Sequence, residues 1–335
     1  MKSIRIHATV LTRRQWFAGI AAALAACAVM RVALAAGYPE KPVRWVVPST
    51  AGGGTDTTTR IIAPKLGDIL GQQIVIDNRG GASGNIGADY VARAAPDGYT
   101  LLTCIASHAS NAALMKKIPF DLARDFAPVS LMVTVPEMIV SHPSLPAKTV
   151  KELVALAKAR PGQLQYATGG IGSIQHMAME LFLNMTATKM LHVPYKATHP
   201  ALMDTIAGHV PLTVVASLSA LPQVRSGRVR AYGVTSAKRM TVAPDIPTIA
   251  EQGVPGYEAV QWFGLLAPAG TPREIVTRLH AGIVRVLQDA EVRKRFIDDG
   301  AEAMPSSSPE EFGALIRSEL AKWRKVVKDS GIQPE

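Results

Sequence analysis

The sequence predicts an α/β protein of two lobes, each a sheet flanked by helices. Three observations carry this expectation. Strand-like and helix-like runs alternate through most of the 335 residues, the pattern of sheets covered by helices. A glycine-rich loop joins a strand to a helix twice, at Gly52-Gly53-Gly54-Thr55 and at Gly169-Gly170-Ile171-Gly172-Ser173. The chain enters a second region near Pro136 and returns near Val260. The expected lobes are therefore 36–137 plus 260–335, and 138–259. The length suits two domains of ordinary size.

Residues 1–35 are set aside as a secretory signal. Met1 to Arg14 is basic with no acidic residue, and Trp16 to Met30 is an alanine-rich apolar run too short to span a bilayer. Ala33-Leu34-Ala35 offers a small-x-small cleavage site before Ala36. Thr12-Arg13-Arg14-Gln15-Trp16-Phe17 resembles a twin-arginine export motif, with a plain Sec signal as the alternative. Leu24-Ala25-Ala26-Cys27 matches a lipoprotein box, which ranks second to simple cleavage. Removing 1–35 leaves 31 Lys/Arg against 26 Asp/Glu, a net charge of +5. That mild, dispersed excess suits small acidic ligands and does not argue for nucleic acid. Only Cys104 remains, so no internal disulfide forms, and its place after Leu101-Leu102-Thr103 reads as core.

The first elements are strand Val43–Val47, stopped by Pro48, and a helix from about Asp56 to Leu70. Thr55 or Asp56 is the expected cap, and Pro64 is expected to kink or interrupt the helix. The loop between them departs from G-x-G-x-x-G because Thr57 occupies the last glycine position, and no G-x-x-x-x-G-K-[ST] occurs. The unpaired N–H groups of a helix start attract an anion. The anion expected here is smaller than a dinucleotide, a carboxylate for example. An ordinary βα turn is the other reading.

Strand Ile74–Asp77 leads to a second glycine-rich stretch, Asn78 to Asn85, and a helix to about Ala95. Strand Thr100–Ile105 is followed by Ser107-His108-Ala109-Ser110-Asn111, at the sheet end where α/β folds bind ligands. Phe126 to Val140 reads as extended, interrupted by Pro136. Thr149-Val150-Lys151-Glu152 is a capping box for a helix to about Arg160. Strand Leu164–Thr168 enters the second glycine loop and helix Ile174–Asn184. Strands Met190–Val193, Val210–Val215 and Val229–Thr235 follow, with a helix His199–Ala207 between the first two. Met240 to Pro255 reads as loop and Val260–Ala267 as the returning strand. Thr271-Pro272-Arg273-Glu274 opens a helix with a capping glutamate, and helices Pro272–Gln288, Ala290–Asp299 and Pro309–Ser330 close the chain. Two half-sites on two hinged lobes, with export, give the geometry of a periplasmic binding protein, or Venus flytrap.

A set of short segments runs in order from Tyr38 to Ile332. It begins with Tyr38-Pro39-Glu40-Lys41-Pro42, with Val47-Pro48 through Ala51-Gly52-Gly53 to Asp56 and Arg60, and with Asp77-Asn78-Arg79 and Gly84-Asn85-Ile86-Gly87. Pro96-Asp97-Gly98-Tyr99-Thr100, Gly170-Ile171-Gly172-Ser173 with His176, and Val193-Pro194-Tyr195-Lys196 continue it. Val234-Thr235-Ser236, Pro244-Asp245-Ile246-Pro247-Thr248 and Ala267-Pro268-Ala269-Gly270-Thr271-Pro272 complete it. By these segments the chain resembles the periplasmic solute-binding receptors of the tripartite tricarboxylate transporter system, the Bug group. The sequence departs from the pattern at Gly80, where proline is usual, at Ala197, where glycine is usual, at Pro64 and at Gly208-His209.

The resemblance implies a small carboxylate ligand held by backbone N–H groups of the two loops. The ligand is a di- or tricarboxylate, an acidic amino acid or an aromatic acid. The resemblance further implies delivery to membrane transporter subunits, a periplasmic location, no cofactor and no catalysis. The protein is expected to be monomeric. Gly52, Gly53, Gly54 and Thr55 form the expected first half-site, with Asp56 as a cap. Gly170, Gly172 and Ser173 form the other, Ser173 serving as donor, as N-cap or as both. Ser107, Asn111, His176 and Tyr195 are expected around the ligand, and each has an ordinary packing or capping role as its alternative. Lys196 is expected to be a solvated surface residue. Two other functions stand against transport. One is a ligand sensor for a signalling receptor. The other is a serine hydrolase using Ser173 or Ser83, although Asn85 breaks the G-x-S-x-G elbow at Ser83. The histidines show no metal-binding spacing.

Overall fold

The computed structural model describes residues 37–332. The expected signal segment, with its twin-arginine motif, cleavage site and Cys27, lies outside the described residues. Those described form a short segment, 37–40, and a folded unit from Lys41 onward.

The folded unit contains two mixed sheets. The first has strands β1 (Val43–Val47), β2 (Ile74–Asn78), β3 (Thr100–Ile105), β4 (Phe126–Val135), β10 (Gln261–Pro268) and β11 (Glu302–Ala303) in the order β11-β4-β10-β3-β1-β2. Strand β1 runs parallel to β2 and β3, whereas β10 is antiparallel to β3 and β4. The second has β5 (Glu137–Ser141), β6 (Gln165–Thr168), β7 (Leu191–Pro194), β8 (Leu212–Ala216) and β9 (Arg230–Val234) in the order β7-β6-β8-β5-β9. Strands β6, β7 and β8 are parallel, and β5 is antiparallel to β8 and β9. The sequence reading of the first region expects parallel strands. The antiparallel β5 and β10 each arrive from the other sheet instead of through a helical crossover on their own sheet, and the short β11, antiparallel to β4, follows the helix Ala290–Asp298. The chain crosses within one residue at Pro136, between β4 and β5.

The helices are α1 (Gly54–Leu70), α2 (Asn85–Ala92), α3 (Ala106–Leu114), α4 (Val150–Ala159), α5 (Ile174–Thr186) and α6 (Thr198–Ile206). They continue with α7 (Ser217–Arg225), α8 (Arg273–Gln288), α9 (Ala290–Asp298) and α10 (Pro309–Ser330). None among the described residues is long and apolar enough to cross a membrane.

Several expectations change at this level. Pro64 lies inside α1 without ending it. It removes one N–H, and the buried stripe Ile61, Ile62, Leu66 and Leu70 keeps the helix on the sheet. The helix starts at Gly54, with Gly53 in the cap position and no side-chain cap, so neither Thr55 nor Asp56 is its N-cap. Glu274 likewise does not cap α8, whose cap position is Pro272. The helix expected up to Ala95 ends at Ala92 and is preceded by a 3-10 turn at Ala82–Gly84. Helix α7 is absent from the expected elements, because Ser217-Leu218-Ser219 and an internal Pro222 give no helix signal. Thr149 does cap α4, accepting from the Glu152 N–H at 3.1 Å. Cys104 is free and fully buried.

Buried polar pairs fix the frame beneath the first loop. Trp45 Nε1 donates to Thr103 Oγ1 at 2.8 Å, and Thr103 shares a 2.9 Å bond with Thr59 of α1. Helix α10 packs on α3, β4 and α5 and so spans both sheets. Its Glu319 accepts from the indoles of Trp262 and Trp323, at 3.3 and 2.9 Å. Burying each such ring contributes roughly 1.5–3 kcal/mol. Gly264, in the central strand β10, has the Phe312 ring where a Cβ would stand. Gly264→Ala is therefore expected to cost about 1–3 kcal/mol, read as a lower urea midpoint with an unchanged slope.

Candidate functional site

The first loop is built by a carboxylate. Asp56, only 2% exposed, accepts from Gly52 N–H at 2.8 Å, from Asn78 Nδ2 at 2.9 Å and from Arg60 Nε at 2.8 Å. Asn78 Nδ2 also reaches Ser49 O at 3.2 Å. One side chain thus ties the β1 loop to the end of β2. The Arg60 hydrogen bond, helped by those from Gly52 and Asn78, outweighs burial and holds the Asp56 carboxyl down to about 2. Gly52 has φ +83, a region that favours glycine. Its N–H is committed to Asp56. Among the described residues no protein acceptor pairs with the N–H groups of Gly54, Thr55 and Asp56. These are the open donors of the first half-site, together with the positive end of α1.

The second loop is closed on itself in a similar way. Ser173 caps α5, accepting from His176 N–H at 3.2 Å and donating its own hydroxyl to Gly170 O at 2.8 Å. Gly172 N–H donates to His176 Nδ1 at 3.2 Å, and Gly170 N–H to Thr168 Oγ1 at 3.2 Å. The donors expected at Gly170, Gly172 and Ser173 are spent inside the loop. The open ones, among the described residues, are the N–H groups of Ile171, Ile174 and Gln175. The sequence carried a signal for Ile174 and Gln175, since the first positions of a capped helix always leave N–H groups free.

The His176 side chain is buried. Its ring stacks on His192 at 4.1 Å, and His192 stacks on Tyr166 at 5.0 Å. Burial pushes both imidazoles down to about 4, so they are neutral at pH 7. Thr168 Oγ1 and His192 Nε2 lie 2.6 Å apart, and Tyr166 donates to Glu180 at 2.5 Å. Tyr195 follows β7, and its hydroxyl is bound to Asp204 at 2.6 Å. Lys196 is exposed.

Helix α3 links the second loop to the turn at Ser83–Asn85. Ser110 Oγ donates to Gly172 O at 3.4 Å. Leu114 Cδ1 and Asn111 Oδ1 lie 3.3 and 4.0 Å from where a Gly172 Cβ would be, and Gly172 has φ +75. Asn111 Nδ2 reaches back to Ser83 O at 3.2 Å. Asn111 and Gly172 thus share one neighbourhood, to which the structure adds Ser110, not among the expected site residues. Among the described residues no hydrogen bond joins Gly52–Thr55 to the second loop. A groove of about 750 Å3 lies elsewhere, along α1 and β2 at Arg60, Pro64, Gly67 and Ile74, and holds none of the expected residues.

Residues 58–332 match the model of the tripartite tricarboxylate transporter family receptor. The chain belongs to this family. Receptors of the family are periplasmic solute-binding proteins and not enzymes. The receptor is 37% identical to protein BugT of Bordetella pertussis, over 88% of this chain and 90% of that one. A structure from R. palustris with adipate has 40% identity and a TM-score of 0.75, covering 89% of this chain and all of that one. MatC of Rhodopseudomonas palustris with bound malate has 34% identity and a TM-score of 0.71, covering 87% and 100%. These likenesses match the two-lobed architecture, with a helix-flanked sheet in each lobe.

The Asp56 geometry sets a stability test. Its lowered pKa means the folded state is favoured above the unfolded value of about 4. That advantage is lost as pH falls from about 4 to about 2. Asp56→Ala is expected to cost about 1–3 kcal/mol at pH 7. The mutant and parent urea curves should converge as pH approaches 2.

Proposed function

We propose that this receptor captures a small carboxylate between its two lobes and delivers it to a tripartite tricarboxylate-type membrane transporter. The supporting observation is the pair of open helix starts, Gly54–Asp56 on α1 and Ile174–Gln175 on α5, whose N–H groups lack protein acceptors among the described residues. They leave the C-terminal edges of parallel strands, where ligands of α/β folds sit. A carboxylate presents acceptors to such donors and is favoured by both helix dipoles. The loop carboxylate does not oppose this, because Asp56 is already paired with Arg60. Adipate and malate in the two relatives support the same ligand class.

In this reading the lobes are 36–137 plus 260–335, and 138–259, hinged at Pro136 and near Val260. Gly52 and Ser173 shape the loops, and Gly53, Gly54 and Thr55 line the first half-site. Ser107 and Asn111 approach the ligand from α3, while Gly170, Gly172, His176 and Tyr195 support the second half-site. The protein works as a periplasmic monomer after loss of residues 1–35, and it needs no cofactor. The hydroxyl of Ser173 is bound to Gly170 O and His176 Nδ1 to Gly172 N–H, which counts against a Ser–His hydrolase.

A thermal melt against C4–C6 dicarboxylates, citrate, aspartate, glutamate and benzoate tests the reading. A ligand at 100 times its dissociation constant adds about 2.7 kcal/mol, on the order of a 2 °C rise. The rise should appear with at least one acid and vanish in Gly172→Val, which crowds Leu114 and the α5 start. A flat panel, with no acid released on unfolding and seen by mass spectrometry, would count against carboxylate capture.

A further inference from the structure

Three buried polar atoms around Pro136 have no hydrogen-bond partner among the described residues: Glu137 Oε2, Ser217 Oγ and Gln261 Oε1. They come from different elements whose backbones adjoin the chain crossing. Gln261 stands opposite Val135, and Glu137 opposite Ala216. Ser217 N–H donates to Pro136 O at 3.0 Å. All three lie at the edges from which the ligand loops depart. Ala216 is the last residue of β8, which runs parallel to β6, and Gln261 precedes the Phe263–Ile105 pair at the end of β3. The crossing also touches the second half-site directly. Glu137 Oε1 accepts from Gln175 Nε2 at 2.8 Å, and Gln175 is the second residue of α5.

Glu137 is 2% exposed. Among the described residues no cation pairs with it, and Gln175 is its one side-chain donor. An ionised carboxylate in such a place is costly, so the acid form is favoured. Burial, partly offset by the Gln175 hydrogen bond, pushes the Glu137 carboxyl up to about 8. Because Oε1 accepts from Gln175, the proton belongs on Oε2, the atom without a partner. The Ser217 hydroxyl beside the same crossing is a second donor without an acceptor. The Gln261 amide can turn to offer either its oxygen or its nitrogen. Buried O–H groups without an acceptor suit an anionic oxygen, which forms short charge-assisted hydrogen bonds.

We propose that Glu137 in its acid form, with Ser217 beside it, is a second anchoring point that donates hydrogen bonds to the far carboxylate of a dicarboxylate ligand. This rests on carboxylate capture by the two loops, and narrows the ligand to acids with two carboxylates. One carboxylate meets the helix starts and the other reaches the crossing at Pro136. The bound ligand holds the Glu137 proton in place. Affinity is therefore full below the free-protein pKa of about 8 and falls as pH rises above it.

The other titratable groups on the surrounding elements do not produce this trend. Strands β8 and β10 carry no charged residue. On α5, His176 is already neutral at pH 7, and Glu180 accepts from Tyr166. The Tyr257 hydroxyl is bound to Ala178 O, and burial with the nearby Glu137 pushes it above the usual tyrosine range. On β9, Arg230 binds the carbonyls of Pro143, Leu145 and Ala147, and burial raises Tyr232. Arg225, in the last turn of α7, binds Val242 O.

The test is isothermal titration of the purified protein at pH 7 and pH 9 with matched acids: succinate against butyrate, and adipate against hexanoate. For the parent, dicarboxylate affinity should fall about tenfold between the two pH values, while monocarboxylate affinity holds. Glu137→Leu removes the donor, and should weaken the dicarboxylate at least about tenfold at pH 7. Glu137→Gln keeps an oxygen for Gln175 and an N–H for the ligand but has no proton to lose, so its dicarboxylate affinity should be independent of pH. Melts without ligand establish that each variant is folded. Dicarboxylate binding that ignores pH in the parent, together with Glu137→Leu binding like the parent, would overturn the subsite while leaving carboxylate capture intact. Failure of all four acids to bind the parent would overturn both.

Discussion

Helices α1 and α5 each begin with N–H groups that nothing among the described residues accepts, and much of the surrounding structure keeps them that way. An unpaired N–H is tolerable only where water or a ligand can reach it. Both helix starts must therefore stay at an open edge. The parallel strands before them end at such an edge in each sheet, and α3 touches the loop before α5. The Pro136 crossing fixes the spacing because no residue separates the two strands except the proline itself.

The side chains nearest these helix starts are hydrogen-bonded within the loops. Asp56 gathers donors from Gly52, Asn78 and Arg60. Ser173 and His176 take the remaining bonds of the second loop. These bonds occupy the side-chain acceptors of both loops while leaving the helix-start N–H groups open. In the proposed function, recognition of a carboxylate is therefore a backbone matter, and selection among carboxylates falls to other groups such as those proposed around Pro136.

Much of this was legible in the sequence. Strand Thr100–Ile105 and helix Pro309–Ser330 fall where periodicity and caps put them. The two glycine loops were found because a strand, a glycine run and a helix in that order have few other uses. What escaped the sequence was how donors are spent. Glycines at 52, 170 and 172 look like ligand donors until Asp56, Thr168 and His176 are seen to occupy them. Those acceptors lie two to four residues from their glycines, and their side-chain directions are set by tertiary packing. Glu137 carried no local signal at all. Nothing in the run around Pro136 marks a buried glutamate, and the pairing of β5 with β8 and the approach of Gln175 enclose it.

The most direct test of the central claim is a crystal structure of the protein with a C4–C6 dicarboxylate bound. The account predicts one carboxylate within about 2.7–3.2 Å of N–H groups from both helix starts, Gly54 to Asp56 and Ile174 to Gln175. A carboxylate held by one lobe alone, or by side chains away from both helix starts, would contradict it.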